Sequence, residues 1–164
     1  MWQSLIIAFV VTVAVCDIAW RQIPRYLTAT AFVVGLIFHA IFGGIGSALL
    51  ASAVAAIMGV AFFRIGAIGG GDLKLLICLG AILGLADWLV AMNVAVLFAA
   101  LMALVQIVRR RLFMQTLKNI ADLVRGFWKD GLRPNDRIHV RNPLAIRAPF
   151  GVAAAIGTIF AVVR

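Results

Sequence analysis

GGGDLKLLICLGAILGLAD, residues 69–87, places an acid directly behind a glycine run and then continues into an apolar segment that ends at another glycine and another acid. The first of these acids is Asp72, and Asp17 closes the first apolar segment of the chain in a similar way. A charged residue at the centre of a membrane helix costs roughly 3 kcal/mol or more, so acids beside membrane segments usually mark functional sites. We therefore treat Asp17 and Asp72 as a candidate pair.

The composition is that of an integral membrane protein. Apolar residues make up 65% of the chain and charged residues only 13%, with a mean hydropathy of +1.11, whereas soluble domains have about 45–50% apolar and about 25% charged residues. We predict an all-α, polytopic helical bundle forming a single domain over residues 1–164. Because no Lys or Arg precedes the first apolar run, the segment lacks the basic region of a signal peptide and is expected to remain as a transmembrane helix.

Glycines, arginines and aspartates divide the apolar sequence into six predicted transmembrane helices. Their approximate ranges are 3–16 (or slightly beyond), 26–42, 47–63, 73 to about 84–87, 88–108 and 148–163. The fourth and fifth are separated near Gly84-Leu85-Ala86-Asp87, because one helix of about 36 residues is too long for a crossing that needs roughly 20.

The basic residues indicate the orientation of this predicted bundle. With six crossings, all but one of the 15 basic residues follow the first, third or fifth helix, and only Arg164 falls on the other side. Positive charge marks the cytoplasmic side, so both termini are expected outside a bacterial cytoplasmic membrane, with Asp17 and Asp72 together at its cytoplasmic face. Because the net charge of +9 lies between apolar segments, we predict no nucleic-acid partner.

The longest cytoplasmic loop, about 109–147, contains a predicted amphipathic helix. Apolar residues recur at helical spacing from 112 to 128, with basic residues between them. Such a helix lies on the inner leaflet and binds anionic lipids. A plain connector whose charges only follow the positive-inside rule is the alternative.

Two close carboxylates form the predicted chemical centre. They do not both ionise easily, so one keeps a proton while the other acts as a base on water. Gly69 and Gly71 are expected to direct the second acid, since glycine permits positive φ and close backbone approach. Asp72 as a helix cap, and Asp17 as a helix-end acid paired with Arg21, remain structural alternatives.

The other chemically interesting side chains indicate no second site. Cys16 and Cys78 lie within or beside apolar runs without metal spacing, which favours small buried hydrophobes. His39 is expected to pack within the second helix, and His139 to be solvated. No cofactor and no metal ion is predicted.

Three motifs carry a resemblance to a known family. They are Asp17-Ile18-Ala19-Trp20-Arg21-Gln22-Ile23-Pro24, Gly69-Gly70-Gly71-Asp72-Leu73-Lys74-Leu75 and Arg147-Ala148-Pro149-Phe150-Gly151. Together they resemble the type IV prepilin leader peptidases, membrane aspartic proteases of the GxGD class. The resemblance extends over essentially the whole chain.

The resemblance implies that the enzyme cuts basic leaders from prepilins or pseudopilins at the cytoplasmic face, typically just after a glycine. It implies Asp17 and Asp72 as the catalytic pair, with Gly69 and Gly71 shaping the second acid's loop. A substrate or structural role is implied for Lys74, Arg21 and Pro24.

Two departures from the family pattern qualify this expectation. Arg25 stands where members usually have asparagine after Ile-Pro, and the CxxC-containing region of the long bifunctional members is absent. The chain therefore resembles the short peptidase-only branch linked to Flp-type tight-adherence pili, and we expect no methyltransferase activity.

Three other functions fit parts of the pattern. A small proton-coupled transporter or channel subunit also uses intramembrane acids, but these are expected near the bilayer midplane. A non-catalytic secretion or pilus assembly factor needs neither acid. The signal-peptide-peptidase group shares the GxGD motif, but its first acid usually follows tyrosine, whereas Cys16 precedes Asp17 here.

Overall fold

The protein is all-helical in the computed structural model, which describes residues 1–20, 24–64, 66–109 and 150–164. Its helices are α1 (Trp2–Trp20), α2 (Arg25–Phe42), α3 (Ile45–Arg64), α4 (Gly70–Arg109) and α5 (Phe150–Val163). The first four are long and apolar enough to cross a membrane, and α5 is a shorter apolar helix of 14 residues. The predicted all-α membrane class is confirmed, while the predicted amphipathic helix at 112–128 lies outside the described residues.

Helix α4 is interrupted at Gly84, within the short stretch where the sequence predicts a break. Gly84 has φ 72° and ψ 174°, a conformation essentially confined to glycine. The indole Nε1–H of Trp88 donates to the carbonyl oxygen of Leu76 at 3.3 Å, although in a straight helix these residues would be about 18 Å apart along the axis. The segments 70–83 and 85–109 therefore fold back against each other.

Side chains from α2 and α3 satisfy the backbone groups that this break releases. The Leu85 N–H donates to Ser47 Oγ at 2.8 Å, and His39 Nε2 donates to the Ile82 carbonyl oxygen at 3.2 Å. An unsatisfied backbone group in a lipid environment costs several kcal/mol, so these contacts stabilise the interruption. His39 is thus a packing histidine, as predicted.

Glycines bring α2, α3 and α5 to backbone contact with α4. A Cβ at Gly35 would lie 2.8 Å from the carbonyl oxygen of Ala81, and one at Gly80 would lie 2.8 Å from the α3 backbone. A Cβ at Gly157 would overlap the carbonyl oxygen of Ala91. Small residues at helix interfaces allow such close packing in membrane proteins, and they make α4 the centre of the bundle.

The bundle has two distinct ends, which the contacts between α1 and α5 define. These helices are antiparallel, because Asp17 contacts Gly151 at one end and Gln3 Nε2 donates to the Val162 carbonyl oxygen at the other. We call the first the acid end, where Asp17 lies. We call the second the break end, where Gly84 lies and where an ion pair joins Asp87 and Arg164 at 3.0 Å.

The basic residues within the described part of the chain separate between these ends. Arg25 begins α2, Arg64 ends α3, Lys74 lies near the start of α4 and Arg109 ends α4, all at the acid end. Arg164 is at the break end, paired with Asp87. The charge separation expected from the sequence is therefore present in the described structure.

Candidate functional site

Asp17 lies in the last turn of α1 and reaches across to the first turn of α5. Its Oδ2 accepts a hydrogen bond from the backbone N–H of Gly151 at 2.7 Å. The first N–H groups of a helix have no partner within the helix, so the half-buried carboxylate of Asp17 caps α5. This contact joins residues 134 positions apart, and nothing in the local sequence around Asp17 indicates it.

Asp72 lies in the first turn of α4 and is also half-buried. Its Oδ2 accepts a hydrogen bond from the Gly69 N–H at 3.1 Å, and the Gly69 carbonyl accepts from the Leu73 N–H at 3.1 Å. An acid in the first turn interacts favourably with the positive end of the helix. The capping interpretation of Asp72 is therefore structurally sound, and the hydrogen bond to Gly69 uses only one of the two carboxylate oxygens, Oδ2.

The glycines before Asp72 do not use the positive φ that glycine permits. Helix α4 already begins at Gly70, and the glycines with positive φ in the described residues lie elsewhere, at 43, 44, 66 and 84. Close approach does apply at Gly69, where a Cβ would lie 3.3 Å from Asp72 Oδ2.

The fold brings Asp17 and Asp72 together at the acid end. They come from different helices, the end of α1 and the start of α4. Helix α5 packs against both of these helices and so links the two acids. Asp87, the third acid in the described ranges, lies at the break end beside Arg164.

The remaining predicted site residues lie around this pair. Lys74 is exposed on α4, two residues beyond Asp72, and Gly71 is half-buried in the first turn of that helix. Pro24, with φ −57° and ψ 130°, immediately precedes α2, and its carbonyl accepts from the Thr28 N–H at 3.4 Å. Arg21 lies outside the described residues.

The described residues hold no cluster of three or more His, Cys, Asp or Glu side chains that could bind a metal ion. Cys16 and Cys78 are buried and free, as their apolar surroundings predict. At the acid end, the described residues place two carboxylates beside helix N-termini.

The contact of Gly151 with Asp17 is a feature that the sequence does not predict. The sequence places Gly151 only at the start of the last helix. The two residues are 134 positions apart, so only the packing of α1 against α5 brings them together.

Comparison with family models gives one match that bears on this site. A model described as the type IV leader peptidase family matches residues 4–104, a range that includes both Asp17 and Asp72. Helix α5 lies beyond the matched range. Comparisons with curated proteins and with solved structures gave no match.

Proposed function

This chain belongs to the type IV leader peptidase family, and on that premise we propose that it is a membrane aspartic endopeptidase that removes the leader from type IV prepilins or pseudopilins. Family membership makes the protein a peptidase, and its long apolar helices make it a membrane protein. The observation that carries the finer proposal is that Asp17 and Asp72 lie at the same end of the bundle, where each carboxylate accepts a backbone N–H at the start of a helix.

The proposed reaction uses the two carboxylates in different protonation states, as two acids sharing a site favour. The ionised carboxylate takes a proton from a water molecule, whose oxygen attacks the carbonyl carbon of the scissile peptide. The protonated carboxyl donates a hydrogen bond to the carbonyl oxygen as negative charge develops there. When the C–N bond breaks, the carboxyl group that took the proton from water gives it to the leaving amine, and the proposed reaction uses no cofactor.

We propose six membrane crossings, in which the segments 70–83 and 85–109 of α4 cross separately. An unbroken α4 of 40 residues would be about 60 Å long, roughly twice the thickness of the hydrocarbon core. The acid end carries the basic residues of the described ranges other than Arg164, which supports a cytoplasmic acid end and external termini. The site then faces the compartment where prepilins are made.

The proposed substrate is a prepilin of the Flp type, with a basic leader and an apolar N-terminal helix. Its leader meets basic residues at the acid end, including Arg64 and Lys74. We propose that anionic lipids screen the repulsion between the basic leader and these basic residues. Each basic residue near an anionic membrane surface is attracted to it by about 1 kcal/mol. Cleavage rates in reconstituted vesicles that do not depend on the anionic lipid fraction would contradict this part of the proposal.

Co-expression with a Flp-type prepilin tests the catalytic proposal. Asp17→Asn and Asp72→Asn keep an oxygen that accepts the Gly151 or Gly69 N–H but remove the acid. Asp87→Asn is the matched control, because Asp87 lies at the opposite end. We expect wild type and Asp87→Asn to shorten the prepilin on a gel, and the other two variants to leave it intact at equal protein level.

Two outcomes would count against the proposal in different ways. Equal processing by Asp17→Asn or Asp72→Asn would exclude the aspartic mechanism. Failure of wild type on several prepilins would favour the transport or non-catalytic assembly functions.

A further inference from the structure

We propose that Gly151 is a positioning residue, which holds the Asp17 carboxylate for hydrolysis and makes the start of α5 part of the active site. This inference rests on the proposed function, because it assigns Asp17 a role in peptide cleavage. It concerns a residue beyond the range 4–104 that the family model matches.

The first argument is the hydrogen bond itself. At 2.7 Å, the Gly151 N–H to Asp17 Oδ2 distance is at the short end of the range for hydrogen bonds to ionised groups. The donor is an N–H in the first turn of α5, which has no other partner in its helix. The bond therefore orients the carboxylate through Oδ2 and does not itself occupy Oδ1, the oxygen that we propose contacts water.

The second argument is the space beside Gly151. A Cβ there would lie 2.7 Å from Asp17 Oδ2, 2.9 Å from its Cβ and 3.0 Å from its Cγ. Each distance is shorter than an ordinary van der Waals contact, so any side chain at 151 must displace Asp17 or α5. Only glycine brings the donor N–H this close to the acid.

The third argument is that α5 cannot easily move to relieve such a clash. Gly157 packs against the Ala91 carbonyl oxygen, and the Val162 carbonyl accepts from Gln3 Nε2 at 3.2 Å. Because α5 is held along its length, a side chain at 151 mainly moves the Asp17 carboxylate. Displacing a reacting group by about 1 Å can lower the rate by about 10²-fold.

Steady-state kinetics of the purified full chain on a prepilin test this role. For Gly151→Ala we expect kcat to fall by about 10- to 100-fold with KM within twofold of wild type, because the change displaces a reacting group and leaves the substrate-binding surface intact. Gly46→Ala is the matched control: Gly46 is also helical, with nothing within 4 Å of a Cβ, and we expect wild-type kinetics. A Gly151→Ala kcat within twofold of wild type, or a loss expressed mainly in KM, would overturn the inference.

A second comparison separates positioning from general helix packing. Gly157→Ala also crowds α5, but its Cβ would meet the α4 backbone and not an acid. We expect it to lower the thermal unfolding temperature in detergent more than it lowers kcat per folded molecule. An equal fall in kcat for both variants at equal folded fraction would mean that α5 packing alone explains the effect, and the inference would fail.

A double-mutant cycle tests the contact without using activity. Asp17→Ala removes the carboxylate that a Cβ at 151 meets, so Gly151→Ala should lower the unfolding temperature less in the Asp17→Ala background than in wild type. The same applies to protein yield if Gly151→Ala alone does not accumulate. Equal losses in both backgrounds would show that a side chain at 151 does not act through the Asp17 carboxylate, and the inference would fail. Activity retained by Asp17→Asn would instead defeat the proposed function, and the inference with it.

Discussion

The two ends of the bundle use different side chains to hydrogen-bond the backbone groups that have no partner within a helix. At the break end, the interruption at Gly84 releases an N–H and a carbonyl group, and the hydroxyl of Ser47 and the imidazole of His39 satisfy them. At the acid end, α5 and α4 begin with free N–H groups, and the carboxylates of Asp17 and Asp72 accept hydrogen bonds from Gly151 and Gly69.

This difference bears on the catalytic role proposed for the acid end. Serine caps a helix about as well as aspartate, so capping alone requires no acid. Two carboxylates at one end of the bundle also disfavour each other's ionisation when they lie close together, which a pair of serines would avoid. The use of acids at this end is therefore consistent with the catalytic role that we propose for them.

Replacing Asp72 by serine separates capping from catalysis and has the largest expected effect. Serine keeps an oxygen at the start of α4 but cannot hold or release a proton as a carboxylate does. We expect prepilin cleavage to fall by at least about 10³-fold, about 4 kcal/mol in the activation barrier, with the unfolding temperature nearly unchanged. If Asp72→Ser retained activity in a quantitative gel assay, Asp72 would serve only as a helix cap, like Ser47 at the break end.

Gly84→Ala tests the break end and should act on stability. The φ of 72° and ψ of 174° disfavour alanine, and the new Cβ would lie 3.1 Å from Ser47 Oγ. We expect a loss of about 2–3 kcal/mol in the free energy of unfolding, measured by denaturant titration in detergent micelles. The folded fraction should cleave prepilin at close to the wild-type rate, and a selective loss of kcat would show that the two ends are coupled.

Ser47→Ala should have a smaller effect of the same kind. It removes the acceptor of the Leu85 N–H at 2.8 Å, and an unsatisfied backbone donor costs about 1–3 kcal/mol. We expect the free energy of unfolding to fall by an amount in the lower half of that range, because this hydrogen bond is exposed. Ser47→Thr keeps the hydroxyl and serves as the control; equal destabilisation by both variants would mean that the hydrogen bond is unimportant.

The Asp87–Arg164 ion pair should contribute least. Its side chains are 49% and 46% exposed, and exposed pairs contribute about 0–1 kcal/mol. We expect Asp87→Asn and Arg164→Gln each to change the free energy of unfolding by less than about 1 kcal/mol, with the difference decreasing as salt is added. A larger, salt-independent loss would show that this pair is a structural element of the break end.

Some of the architecture is predictable because it depends on neighbouring residues. The apolar runs predict α1, α2 and α3 to within a few residues, and Gly84 lies at the predicted interruption, since hydropathy and glycine act locally. The start of α4 at Gly70 was missed because a glycine run favours a turn by itself. The Asp72 carboxylate, which accepts the Gly69 N–H, favours the helix there.

The linear sequence already contains the membrane class, the separation of basic residues, the two acids and the family motifs, because each is a property of composition or short spacing. The contact of Asp17 with Gly151, and the support that Ser47 and His39 give to Gly84, arise only when distant helices pack. No local pattern encodes them, since a helix end accepts any suitably placed partner, and the packing of small residues around α4 determines which one is near.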